Sequence, residues 1–293
     1  MITFKTMEDL TFRQSHELFI QGFEGYFIPM NMELDAFIAK MGNENLSPAR
    51  SIIMYEDELP IGFVLQGIRD VNGQKMAWNG GTGIIPKYRG KKLGKVLMEK
   101  ALELLKQEGV GIATLEALSM NHPAIKLYEK VGYTVMDTLH FWEADGVLTF
   151  DEEIANEFEL NRIPALQAAN ARIFPAMAPW QVDPSIIPKT GGEAIIATKN
   201  GEVLAACLVR TKQQFGSEAE GVTLFQTIVN QDNEEGERAL YAVLQKGLHF
   251  QNSLKRTTYN LMDHSQKTLN FLQGKGFKNT KISQVFMVNK LID

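Results

Sequence analysis

One cysteine, Cys207, stands among 293 residues. An intrachain disulfide and a cysteine-ligated metal cluster are therefore excluded. The five histidines, His16, His122, His140, His249 and His264, show no metal-ligand spacing, so no metal is expected. No apolar run approaches the ~18–20 residues of a membrane span, and no membrane partner is expected. The opening MITFKTMEDL has no basic segment followed by an apolar core. No signal peptide is read from it, and a cytoplasmic location is expected. Positive charge is not in excess either: the formal charge is −5, which argues against a nucleic-acid partner. What remains is an ordinary globular composition, 44% hydrophobic and 22% charged, with length enough for one large domain or two ordinary ones.

One stretch departs from that ordinary background. Residues 84–95 read Ile-Ile-Pro-Lys-Tyr-Arg-Gly-Lys-Lys-Leu-Gly-Lys. A β-like run ends at Pro86, a basic glycine-containing turn follows, and an amphipathic helix begins near Lys92 and runs to about Glu108. The first turn of a helix points free backbone N–H groups outward, and the helix dipole favours negative charge there. No acidic residue lies between Asp70 and Glu99, while residues 87–95 carry five Lys or Arg. That is a site for a polyanion such as a pyrophosphate. A nucleotide-hydrolase phosphate loop is not present, because GxxxxGK followed by Ser or Thr is missing.

The rest of the first half alternates helices and strands. Residues 2–6 read as an edge strand, 11–23 as a helix and 31–41 as a second short helix. The loop between those helices carries Phe23, Glu24, Tyr26, Phe27 and Met30, either a satellite core or a wall of a substrate pocket. Strands are read at 51–56, 60–68 and 76–85. The last of these contains Trp78-Asn79-Gly80-Gly81-Thr82-Gly83, where glycines signal a bulge or the close approach of a ligand. A buried-type strand at 112–118, a short helix at 123–131 and a strand at 133–142 complete the half. After an acidic stretch at 143–160 the pattern recurs. Ile195-Ile196 and the Asn200-Gly201 turn repeat Ile52-Ile53 and Asp57-Glu58; residues 265–277 echo 121–133. Two echoes at nearly one spacing indicate a duplicated domain.

Three pieces of the first half lie in a telling order. They are Arg89-x-x-Lys92-x-Gly94 at a strand-to-helix turn, Leu115-Glu116-Ala117 on a strand, and Asn121-x-x-Ala124-x-x-Leu127-Tyr128-Glu129-Lys130-x-Gly132-Tyr133. In this order and spacing they resemble the GNAT superfamily of N-acetyltransferases, over roughly residues 1–145. Lys92 stands where the family's loop has its middle glycine. The resemblance implies an α/β (α+β) fold with two GNAT-like domains, 1–145 catalytic and 146–293 degenerate. Each would hold a mixed, mostly antiparallel sheet flanked by helices. It implies acetyl-CoA as cosubstrate, seated in a V-shaped opening between the strands at 76–85 and 112–118. Ile84 and Ile85 would pair with the pantetheine arm by their backbone, and a backbone N–H near Ile85 would meet the oxyanion. The turn Arg89, Gly90, Lys91, Lys92, Leu93, Gly94 and Lys95 would hold the pyrophosphate.

Tyr128 is the acid that would protonate the departing thiolate; on its own pattern it is equally an amphipathic core residue. Glu116 interrupts an apolar strand and matches the base of the ribosomal-protein N-acetyltransferase branch; on pattern alone it is also a solvated strand position. Asn121 matches a cofactor contact and is also a helix N-cap. In the second half, Asn233, Gly236 and Arg238 replace Arg89, Lys92 and Gly94, and Leu272 replaces Tyr128. Residues 232–237, DNEEGE, carry four acids where the first half carries bases, so a pyrophosphate is repelled there. The implied activity is transfer of an acetyl group to a primary amine, on a small molecule, a peptide or a protein. A different acyl-CoA, an O-acceptor, or a non-catalytic CoA sensor or scaffold are the alternatives. The acceptor and the oligomeric state are left open by the sequence.

Overall fold

The computed structural model describes all residues except 72, 188–190, 214–218 and 293. The chain divides into two compact units, Met1–Met136 with Val285–Asp293, and Asp137–Gln284. Sequence pattern puts the division at 145/146. In the structure the chain leaves the first unit within a strand, and the closing strand of the chain returns to it.

The first unit contains β1 (Ile2–Thr6), α1 (Phe12–Gly22), α2 (Leu34–Asn43), β2 (Ile52–Glu56), β3 (Leu59–Val71), β4 (Gln74–Ile84), α3 (Leu93–Gln107), β5 (Ile112–Leu118), α4 (His122–Lys130) and the start of β6 (Thr134–Ala144). Strand order is β1-β2-β3-β4-β5, antiparallel except for the parallel β4–β5 pair. A two-residue turn suffices to join β2 to β3, whereas the parallel pair needs the crossover that α3 supplies. α1 starts at a capping box: Thr11 Oγ1 accepts from the Gln14 N–H at 3.2 Å, and the Gln14 side chain accepts from the Thr11 N–H at 2.9 Å. α3 buries Leu97, Met98, Ala101, Leu102 and Leu105 against Ile52, Met54, Val64, Ala77 and Leu115. Each of the leucine and methionine side chains among them contributes about 1.5–3 kcal/mol on full burial. The other sheet face is aromatic: Phe63 packs against Phe19 and Phe23, and Phe19 against Phe37. A sheet covered on both faces explains why β2 and β3 are apolar in runs rather than in alternation.

The second unit contains the rest of β6, then α5 (Glu152–Asn156), β7 (Glu159–Pro164), α6 (Ala165–Asn170), β8 (Glu193–Lys199), β9 (Glu202–Gln213), β10 (Ala219–Val229), α7 (Gly236–Gly247), β11 (Lys255–Thr258), β12 (Leu261–Met262), α8 (Gln266–Gly274) and the first part of β13 (Lys278–Lys290). Its strand order is β7-β8-β9-β10-β11-β6, again antiparallel until a parallel β10–β11 pair. The β8–β9 hairpin turns on Asn200 and Gly201, at φ +54° and +80°, the two left-handed residues of a type I′ turn.

The last strand is not read from the sequence. β13 lies beside β5, and from Val285 onward it belongs to the first unit. Met287 there is fully buried, and Asn289 Nδ2 donates to the Val131 carbonyl at 3.0 Å. A pairing this distant in sequence leaves no local trace for periodicity to reveal.

Candidate active site

The site is built on the parting of β4 from β5. The parallel register runs from Met76–Ile112 to Asn79–Leu115 and stops, although both strands continue. The cause lies at the next residue. Leu65 pairs with Gly81 and Gln66 with Asn79, so Gly80 is a bulge. A Cβ at Gly80 would lie 2.5 Å from the Trp78 ring and 2.8 Å from Leu46, which only glycine avoids. Beyond the bulge, Ile85 donates its N–H to the Ile61 carbonyl at 3.0 Å. Alternation in an antiparallel ladder then turns the N–H groups of Ile84 and Thr82 away from β3, toward the gap. Pro86 follows and ends the strand.

The far end of β4 is held by α1. Gly22 and Gly83 meet so closely that a Cβ on Gly83 would lie 2.6 Å from the Phe63 ring and 3.1 Å from the Gly22 Cα. Arg89 ties the same junction. Its Nε donates to the Ile84 carbonyl at 2.8 Å and its Nη2 to the Gly22 carbonyl at 2.9 Å. At Gly83 the close approach is made by α1 backbone, where a bulge or a ligand is expected from the sequence.

A cavity of about 620 Å³ opens at this gap. Its floor is Thr82, Gly83 and Ile84; one wall is the turn from Tyr88 through Lys95; another is α4; the fourth is the α1–α2 loop with Phe23, Tyr26 and Phe27. Lys92 is the N-cap of α3 in the left-handed region, at φ +62°, and its side chain makes no cap bond. The N–H groups of Leu93 and Gly94 are thereby left for a ligand, at the positive end of the helix dipole. The left-handed backbone is the physical reason a glycine suits position 92 and lysine strains it.

α4 starts at Asn121, whose Oδ1 caps the Ala124 N–H at 3.3 Å. The same amide donates to the Tyr26 hydroxyl, which burial otherwise raises in pKa. Asn121 is therefore both a cap and a lining residue. Tyr128, 9% exposed, turns into the cavity from the next turn of α4. Burial pushes its phenol up to about 12, and a hydrogen bond from Thr82 opposes that shift. Tyr128 is neutral, proton-bearing and within reach of the parted strands.

The comparisons with known proteins agree with this geometry. Residues 14–133 match the Acetyltransferase (GNAT) family. Streptothricin acetyltransferase of Streptomyces lavendulae is 38% identical over 50 residues, 17% of this chain and 26% of that protein. A putative [ribosomal protein bS18]-alanine N-acetyltransferase of Bacillus subtilis (strain 168) is 45% identical over 49 residues, 17% of this chain and 32% of that one. The matched segments thus span about a quarter to a third of these relatives. A tandem GNAT protein from the clavulanic acid biosynthesis pathway, solved without AcCoA, has the same fold over 100% of this chain and 99% of its own. The TM-score is 0.56 at 14% identity.

In the first unit, Ile84, Arg89, Gly90, Lys92, Leu93, Gly94, Lys95, Asn121 and Tyr128 line the cavity together. Three expected residues do not. Ile85 has its N–H on Ile61, so the gap is served by Ile84 and Thr82 instead. Lys91 lies with its Nζ 4.7 Å from the Tyr88 ring centre. Glu116 alternates with Leu115 and Ala117, which pack toward α3 and α4, so its side chain emerges on the opposite sheet face. There its carboxylate accepts from Trp78 Nε1 at 2.6 Å. Lining residues not foreseen are Thr82, Lys126 and Lys130. The i, i+4 spacing of the two lysines on α4 was the available signal.

The second unit repeats the geometry but not the chemistry. The parallel β10–β11 register ends at Leu224–Thr258, and the bulge follows at once, on Phe225. Phe225 is buried, where the first unit has Gly80. Before α7 the turn is acidic. Glu235 binds Lys199 at 2.5 Å, and Glu202 accepts from Asn230 at 2.7 Å. Leu272, at the position of Tyr128, is fully buried in an apolar cluster.

Proposed function

We propose that the first unit is an acetyl-CoA-dependent N-acetyltransferase acting by direct attack in a ternary complex, and that the second unit is a degenerate copy without cofactor. One observation carries the reading. A single cavity joins the basic, uncapped N-terminus of α3 to the buried hydroxyl of Tyr128 at the parted strands. The names of the two curated relatives, both acetyltransferases, point the same way.

The N–H groups of Leu93 and Gly94 would hold the pyrophosphate, with Arg89, Gly90, Lys92 and Lys95 around it. Asn121 and the free edge of β4 at Ile84 would hold the peptide-like pantetheine arm, as strand addition. The thioester carbonyl then lies against the gap-facing N–H groups of Thr82 and Ile84, which receive the oxyanion. A primary amine must arrive unprotonated, since an alkyl ammonium has a pKa of about 10. It attacks the carbonyl carbon; the tetrahedral intermediate collapses, the C–S bond breaks, and Tyr128 gives its proton to the sulfur. The amine's own proton leaves toward Glu116, which lies on the opposite sheet face from Tyr128 and so serves an acceptor entering from the α1–α2 side. Bulk water then restores the proton on Tyr128.

In the second unit the acidic turn repels a pyrophosphate, Phe225 fills the bulge and Leu272 offers no proton. The test is thiol release from acetyl-CoA with a panel of amines, peptides and alcohols, alongside a CoA soak. Turnover with an amine and CoA in the first unit alone are expected. CoA in the second unit would overturn the degenerate assignment. CoA binding without turnover of any acceptor would favour a sensor, and preference for an alcohol or a longer acyl-CoA would reassign the reaction.

A further inference from the structure

Three lysines on the helices of the first unit are matched with an acid on the next turn. Lys95 sits 3.1 Å from Glu99, Lys100 is 2.9 Å from Glu103, and Lys40 is paired with Glu44. Lys106 on α3 has no such partner among the described residues and lies outside the cavity; three further lysines differ from it in position. Lys92, Lys126 and Lys130 have no ion-pair partner among the described residues, and all three line the one cavity described above. Lys126 and Lys130 are four residues apart on α4 and so project from the same face. Glu129, between them, does not line the cavity. Lys92 faces them from the start of α3.

This concentration of charge exceeds what a pyrophosphate requires. Each pyrophosphate phosphorus carries one negative charge, and the α3 N-terminus with Lys92 and Lys95 already opposes them. Two further unpaired ammonium groups on the facing helix would repel each other and Lys92 in an empty cavity. They become favourable when a phosphate monoester, at about −1.5 to −2 charge, lies between them. Lysine is suited to that role as a compact charge on a flexible stem, able to follow a phosphate held by its neighbours.

We infer that Lys126 and Lys130 form a subsite for a phosphate monoester, the one on the ribose of CoA, and that this protein selects CoA over its dephosphorylated form. The inference rests on the CoA reading above. It adds that cofactor choice is made on α4.

The experiment is isothermal titration of the full chain with CoA and with 3′-dephospho-CoA. It compares wild type, the Lys126→Gln/Lys130→Gln double variant and, as a control, Lys106→Gln, whose exposed lysine lies outside the cavity. Wild type should bind CoA about tenfold or more tightly than dephospho-CoA, the scale of a charge-assisted contact. The double variant should bring CoA down to the dephospho-CoA affinity and leave the latter within about twofold. Lys106→Gln should keep the full preference. Added salt should weaken CoA more steeply than dephospho-CoA. Equal affinities in wild type, or a preference that survives in the double variant, would overturn the inference while leaving the cofactor reading standing. Binding of neither ligand would overturn both.

Discussion

Tyr128→Phe isolates one oxygen. The ring of Tyr128 is 9% exposed and packs edge-on against Tyr133, with centroids 6.1 Å apart, so phenylalanine keeps the packing. What is lost is the hydrogen bond with Thr82 and the proton itself. The hydrogen bond accounts for about 0.5–1.5 kcal/mol of stability. The proton accounts for much more. A positioned general acid contributes about 10²–10⁴ in rate, which is about 2.7–5.4 kcal/mol of barrier at about 1.36 kcal/mol per decade. The expected signature is therefore a kcat lower by two to four decades, roughly, with CoA affinity almost unchanged and a slightly lower Tm. The assay is thiol release at saturating acetyl-CoA with the best amine of the panel, with CoA titration and thermal melts on the same preparations. Because the Tyr128 phenol is pushed up to about 12, it keeps its proton through the neutral range. The substitution should lower the plateau of the pH–rate profile without moving its neutral limbs. Wild-type rates in the variant would remove Tyr128 from the mechanism, and a loss confined to KM would recast it as a binding residue.

Four further outcomes are expected. Raised by burial, Tyr128 ionises later in the folded chain than in the unfolded one, so its stability contribution is intact below about pH 10 and lost as pH rises toward about 12; urea midpoints should fall less in Tyr128→Phe than in wild type over that window, and parallel losses would refute this. Lys92→Gly relieves a left-handed lysine at φ +62° and should stabilise by up to about 1 kcal/mol in urea unfolding; a loss of stability would show that the lysine side chain holds the turn. Gly83→Ala forces a Cβ to within 2.6 Å of Phe63 and 3.1 Å of the Gly22 Cα, so about 1–3 kcal/mol should be lost in the same measurement; a change under about 0.5 kcal/mol would mean the α1–β4 junction yields freely. Removal of residues 285–293 takes Met287 out of the first unit's core and frees the Val131 carbonyl; CoA binding should be abolished along with the cooperative melt of that unit, and an unchanged CoA affinity would contradict the strand's role.

Local pattern was enough for much of this protein. Helical spacing located α1 and, with the Asn121 cap, α4, because a cap and an apolar stripe are properties of a few consecutive residues. The basic turn at 87–95 declared an anion site, because charge of one sign beside a helix start acts over a few ångströms. The aromatic loop at 23–27 was legible as either core or pocket wall; the structure makes Phe23 both, packed on Phe63 and lining the cavity.

Other features were decided only by tertiary structure. Glu116 and Tyr128 share a motif spacing, yet strand alternation sends Glu116 to the face opposite α4 and into a bond with Trp78. The oxyanion donors shift from Ile85 to Ile84 and Thr82 because the phase of the β3–β4 ladder is set by the partner strand. Lys126 and Lys130 gain meaning only when α4 faces the start of α3 across a cavity. The return of β13 to the first unit is a pairing between residues far apart in the chain, made by backbone groups that every sequence carries alike. Caps, stripes and charge runs are short-range and belong to the sequence; ladder phase, facing helices and distant strand partners arise from packing, and those determine which side chains meet at the site.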